Sequence, residues 1–229
     1  MGGSSECMLT ELCEVLNTYR GRDKLVRTLC YTSKLLGNLS SDETFSNKCQ
    51  IFGSNMSTAR TVFGLLNDFP ALKSTLSYGF GKEEPDQFTA SVSVVINICD
   101  QLFFGLDKIA WFSEINLTPM KNEKAWRNAS LAVSGLSTYL TILRTFRYIT
   151  LLQSHKGCVN GASDNSEVSK IVQKQQMELL SCLRLFLDLL QTINGLPAGF
   201  LWSSKMTSCQ VNFIATVSSF IGLYQMFAK

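Results

Sequence analysis

The chain has 229 residues, enough for one large domain or two small ones, and it is 45% hydrophobic against 17% charged, which is rich for a water-soluble protein. A net charge of +3 argues against nucleic acid, which is bound through clustered Lys and Arg. That charge suits a weak attraction to anionic lipid.

A helical region is predicted from Leu9, and its sense is clear from Arg20 onward. Arg20, Lys24, Arg27 and Lys34 step by three or four along one side, while Leu25, Leu29, Leu36 and Leu39 fall on the other. The basic face is either a solvated surface over a helical core or a surface that touches anionic headgroups. Gly37 and Asn38, followed by Ser40, Ser41 and Asp42, end the helix.

A second amphipathic helix is predicted from Cys49 to Phe69, where Pro70 breaks the pattern. Its apolar stripe is Phe52, Met56, Ala59, Val62, Phe63, Leu66 and Phe69, and its opposite side, which includes Arg60, is almost uncharged. Such a helix gains little from Coulomb attraction and binds a bilayer mainly by inserting apolar side chains into packing gaps, which open when the membrane curves. Packing of the stripe against the first helix is the alternative.

After a loop through Gly79, Gly81, Glu83 and Pro85, a third helix starts with Asp86 as its cap and runs through Phe88, Val92, Val95, Ile96, Cys99, Leu102 and Phe103. Asp100 and Asp107 interrupt it and make it a poor membrane span; a solvated or ion-paired role, for example with Lys108, is expected for them. Past Pro119, residues 128–152 form a candidate first transmembrane or re-entrant helix, short before Arg144 unless Arg144 and Arg147 snorkel. A polar loop is predicted over 153–170, then an amphipathic helix and connector over 171–204, in which Arg184 and Asp188 stand four apart.

The last stretch, Met206 to Ala228, organises the reading. It holds no Asp, Glu, Lys or Arg, and a helix of roughly 20 residues at about 1.5 Å each crosses the ~30 Å hydrocarbon of a bilayer. Ala215, Ser218 or Ser219, and Gly222 recur as a small-residue groove that lets helix backbones approach closely in lipid. A tight crossing in a water-soluble bundle would use the same row.

No strand alternation is sustained, so the class is all-α. Cys7, Cys13, Cys30, Cys49, Cys99, Cys158, Cys182 and Cys209 are scattered without a CxxC pair, and His155 is the only histidine. They read as small apolar residues in a reducing compartment, and neither a metal site nor a cofactor is expected. Nothing matches a phosphate-cradling loop or a nucleophile elbow, so no enzyme activity is expected. The first residues hold no secretory signal.

From Tyr19 onward the chain resembles the peroxin eleven family of peroxisomal membrane proteins, in particular its gamma branch. The resemblance rests on Tyr19-Arg20-Gly21-Arg22-Asp23-Lys24-Leu25 with Tyr31 and Lys34-Leu35-Leu36, on Asp188 with Leu196-Pro197, Gly199 and Leu201-Trp202, and on Thr216-Val217-Ser218-Ser219 with Leu223-Tyr224-Gln225. It implies a multi-pass protein of the peroxisomal membrane with both termini cytosolic, residues 1–127 forming a cytosolic amphipathic region and 206–228 a C-terminal transmembrane helix. It also implies elongation and remodelling of the organelle before fission. The implied partners are the phospholipid membrane, further copies of the chain and of its relatives, and a fission machinery of tail-anchored adaptor and dynamin-like GTPase.

On this reading Phe52, Met56, Ala59, Val62, Phe63, Leu66 and Phe69 insert into the membrane. Arg20, Lys24, Arg27, Lys34 and Arg60 meet anionic lipid, and Ala215, Ser218, Ser219 and Gly222 pack the anchoring helices of oligomers. A rival reading is a pore for small metabolites, with Asn212, Thr216 and Ser219 lining a polar seam.

Overall fold

The computed structural model describes residues 2–65, 67–81, 84, 86–118, 121–160 and 165–228. Among them the chain forms eight helices and no strand: α1 (Gly2–Asn17), α2 (Tyr19–Leu39), α3 (Glu43–Gly64), α4 (Asp68–Tyr78), α5 (Gln87–Glu114), α6 (Glu123–Asn160), α7 (Asn165–Asn194) and α8 (Ser208–Phe227). Leu66, Glu83, Pro85, Pro119 and residues 161–164, all of which carried sequence expectations, lie outside the described residues. The helices group into two compact units, one of residues 1–65 with 207–229 and one of residues 66–206.

In the first unit α2 is the central helix, packed on α3 and α8 and, less extensively, on α1. The single helix expected from Leu9 is divided at Thr18, whose hydroxyl accepts from the Gly21 amide at 3.0 Å and caps α2. Gly21 permits the division, since a Cβ there would stand 1.9 Å from the Val15 carbonyl oxygen.

α3 begins six residues earlier than expected, because Asp42 accepts from the Thr44 amide at 2.9 Å and caps Glu43. It ends at Gly64 rather than Phe69. Pro70 does not break it; the proline sits in the first turn of α4, where its missing N–H deprives no helical carbonyl.

α2 and α3 approach closely at Gly53, where a Cβ would lie 2.6 Å from Lys34 Cγ and 3.0 Å from the Cys30 carbonyl oxygen. Gly53→Ala is therefore expected to destabilise the chain by about 1–3 kcal/mol through overpacking against backbone. Gly105→Ala, with open space at its Cβ, is expected to stabilise by about 0.5–1 kcal/mol through helix propensity alone. Denaturant titration of the two variants in detergent checks the difference in sign.

In the second unit α5 packs on α6 and α6 on α7, with α4 against α5. Asp86 caps α5 as the sequence predicts, accepting from the Thr89 amide at 3.2 Å. The loop expected over 153–170 is mostly helical, α6 running on to Asn160 and α7 starting at Asn165. Gln175 donates to Gln153 at 3.0 Å across the two helices. Arg184 and Asp188 pair at 3.3 Å, as their spacing predicts.

Among the described residues the helix long and apolar enough to cross a membrane is α5, Gln87–Glu114, not 128–152 or 206–228. Gln210, Asn212, Thr216, Ser218, Ser219 and Gln225 lower the hydropathy of α8. α6 is interrupted by Arg144, Arg147 and many hydroxyls.

Candidate membrane-insertion surface

Burial is distributed in reverse of a water-soluble bundle. Among the described residues the buried side chains include Thr28, Thr89, Ser93, Ser113, Ser130, Ser137, Thr145, Thr216, Ser218 and Ser219; no aromatic ring is buried, and Leu196 is the one buried leucine. Large apolar side chains face outward instead, including Leu29, Leu36, Phe45, Phe52, Phe63, Ile98, Leu102, Phe146, Phe186, Phe213 and Phe220. Water selects against that arrangement, whereas lipid permits it, because helix association there relies on small side chains and interhelical hydrogen bonds.

α3 shows how the reversal arises. Its glycine and polar side turns toward α2, with Gly53 buried, Gln50 donating to the Lys34 carbonyl at 3.1 Å and Ser46 to the Gly37 carbonyl at 2.7 Å. The apolar stripe is left outside: Phe52 is 45% exposed, Val62 46% and Phe63 56%. Met56 and Ala59 are half-buried, and Phe69 is exposed but belongs to α4. The stripe therefore does not pack against α2.

The basic residues of α2 turn the other way from the expected surface. Lys24 Nζ donates to the Gly222 carbonyl at 3.0 Å, and Arg27 reaches the Ser218 hydroxyl at 3.5 Å and lies 5.7 Å from the Tyr31 ring centre. The Lys34 stem covers Gly53, and Arg60 forms a two-pronged pair with Asp23 at 2.8 and 3.3 Å. Arg20 alone of the five stands exposed. The row of small residues on α8 leaves room for these stems and offers them oxygen acceptors, while Leu29, Leu36 and Leu39 of α2 face out.

On α8, Ala215, Ser218, Ser219 and Gly222 are buried, and α2 of the same chain occupies their side of the helix. Thr216 and Ser219 spend their hydroxyls on the Asn212 and Ala215 carbonyls at 2.7 and 2.6 Å.

In the second unit, sequence reasoning missed a signal that was present: Asp86, Ser93, Asp100, Asp107 and Glu114 recur every seventh residue, which places them in one seam of α5. α6 runs antiparallel and answers each in turn. Arg147 donates to Asp86 at 2.8 Å, Arg144 to Ser93 at 3.4 Å and Ser137 to Asp100. Arg127 donates to Asp107 at 2.6 Å and by two nitrogens to Glu114 at 2.7 and 2.8 Å. Asp107 thus pairs with Arg127, and Lys108, its expected partner, pairs with Asp68. The hydrogen bond from Thr89, seconded by Arg147, holds the Asp86 carboxyl below its ordinary range. Acids that make α5 a poor span in isolation find hydrogen-bond partners when α6 lies along it.

Neither a cluster of metal-ligating side chains nor a disulfide occurs among the described residues, and Cys13, Cys30, Cys49, Cys99, Cys182 and Cys209 are free thiols. No solved structure matches the chain. It is 27% identical over 226 residues to the human peroxisomal membrane protein 11C, covering 95% of this chain and 93% of that protein. It is 25% identical over 229 residues to the mouse protein of the same name, covering 95% and 94%. The family model for peroxisomal biogenesis factor 11 matches residues 9–227, so the chain belongs to the PEX11 family of peroxisome biogenesis proteins.

Proposed function

We propose that the chain is an integral protein of the peroxisomal membrane that elongates and remodels it ahead of division. The observation that carries the reading is the outward stripe of α3, with Phe52, Val62 and Phe63 exposed on a helix whose polar side is already satisfied by α2. The membrane location is supported by the names of the human and mouse relatives, each a peroxisomal membrane protein.

In this reading α5 crosses the bilayer with its acidic seam against α6, and the termini face the cytosol by family resemblance. α3 enters the cytosolic leaflet as a wedge. Each inserted Phe or Val contributes roughly 1.5–3 kcal/mol before ordering costs, enough for reversible insertion by one chain and persistent insertion by several acting together. Arg20 supplies an exposed cation for anionic headgroups. Assemblies of the chain then present the curved membrane to an adaptor and a dynamin-like GTPase.

Reconstitution of the full chain into vesicles tests the proposal. Tubules visible by electron microscopy are the expected result; ion or solute conductance through vesicles that stay round would favour a pore, and release from membranes by alkaline carbonate would place the chain outside the bilayer.

A further inference from the structure

The second unit contains a cavity of about 810 Å³ between α6, α7 and the 195–204 loop. Its walls are apolar, formed by Ala132, Leu136 and Tyr139 of α6, Leu189 and Ile193 of α7, and Leu201 of the loop. It lies within the range of small-molecule sites. The loop wall is braced: Ser203 donates to the Pro197 carbonyl at 2.6 Å and accepts from the Phe200 amide at 3.2 Å, and Trp202 Nε1 donates to the Leu190 carbonyl at 3.2 Å. The space is therefore built, not left by a loose loop.

One end of the cavity changes character. A smaller space of about 240 Å³ shares Asn128, Leu196 and Pro197 with it and is lined by Glu114, Glu123, Lys124 and Arg127. Arg127 is committed to Glu114 and Asp107, which leaves Glu123 and Lys124 as a charge of each sign at the mouth. An apolar chamber adjoining a space of balanced charge matches an amphiphile with a hydrocarbon tail and a headgroup that is itself both positive and negative. A free fatty acid or a net anionic lipid could set its anion against Lys124 but would leave Glu123 without a cation.

We propose that this cavity holds one acyl chain of a zwitterionic glycerophospholipid, its phosphate toward Lys124 and its ammonium group toward Glu123. The proposal rests on the membrane reading above, because the lipid enters from the bilayer, yet it fails separately: a chain that tubulates vesicles and retains no lipid overturns this inference alone.

The test uses the full chain reconstituted into vesicles of phosphatidylcholine, phosphatidylglycerol and free palmitate, then extracted in mild detergent, with retained molecules identified by native mass spectrometry. Phosphatidylcholine is expected to stay with the wild type and with Leu179→Ala, which lies away from the cavity. Ala132→Phe, which fills the chamber from α6, is expected to reduce retention about tenfold. Circular dichroism verifies the fold, and Ala198→Phe reads the same chamber from the loop side should the α6 variant lose helix. Equal retention in the filled variants, no retained lipid at all, or preferential retention of palmitate or phosphatidylglycerol overturns the proposal.

Discussion

Phe63→Glu in the full chain is expected to abolish tubulation of vesicles while leaving the helix content of the protein unchanged. Phe63 is the most exposed member of the α3 stripe, and the substitution removes its apolar contribution, roughly 1.5–3 kcal/mol, while adding a carboxylate that lipid disfavours by up to about 3 kcal/mol. Together these weaken insertion by two to four orders of magnitude on a scale of about 1.4 kcal/mol per tenfold. The side chain points away from α2, so the fold has no reason to fail; circular dichroism and electron microscopy on the same preparation separate the two effects. Tubules of normal length from the variant would remove α3 from the mechanism and leave the apolar surface of the second unit as the agent.

Arg127→Ala is expected to destabilise the second unit. The guanidinium holds Asp107 and Glu114 together at 2.6–2.8 Å, and truncation leaves two carboxylates side by side at the end of α5. Breaking a fully buried pair costs about 3–5 kcal/mol, but these groups are about a third exposed, so we expect about 2 kcal/mol in detergent. Combining Arg127→Leu with Asp107→Leu is expected to recover most of it, since an apolar pair replaces the ionic one and Glu114, the more exposed acid, can turn to water. Denaturant titrations followed by far-ultraviolet circular dichroism provide the comparison. An Arg127→Ala midpoint equal to that of the wild type would show that the seam does not hold α5 to α6.

The two variants act on different surfaces and report different properties. Phe63 belongs to a face that the fold leaves uncovered, and its loss removes an interaction with something outside the chain. Arg127 belongs to a seam within one unit, and its loss exposes what the chain otherwise hides. Arg27 and Lys24 show why charge counts in sequence mislead in such a protein: both are cations on a helix face that reads as a basic surface, and both reach oxygen atoms of α8, nearly two hundred residues away in the chain.

The sequence by itself determined the all-α class, the cap at Asp86, the apolar stripe of α3 and the family, because these follow from periodicity, from local hydrogen bonding and from short runs of residues read in order. Which way each amphipathic helix faces was decided only by tertiary structure. Periodicity tells which residues share a side of a helix but does not say whether the partner on the polar side is water or another helix. Here that partner is protein for α2, α3 and α5, and so the leucines and phenylalanines that a soluble bundle would bury stand outside. The same limit hid α5 as a candidate span: Asp100 and Asp107 count against it as long as it stands alone, and are partnered once Ser137 and Arg127 of α6 are placed against them.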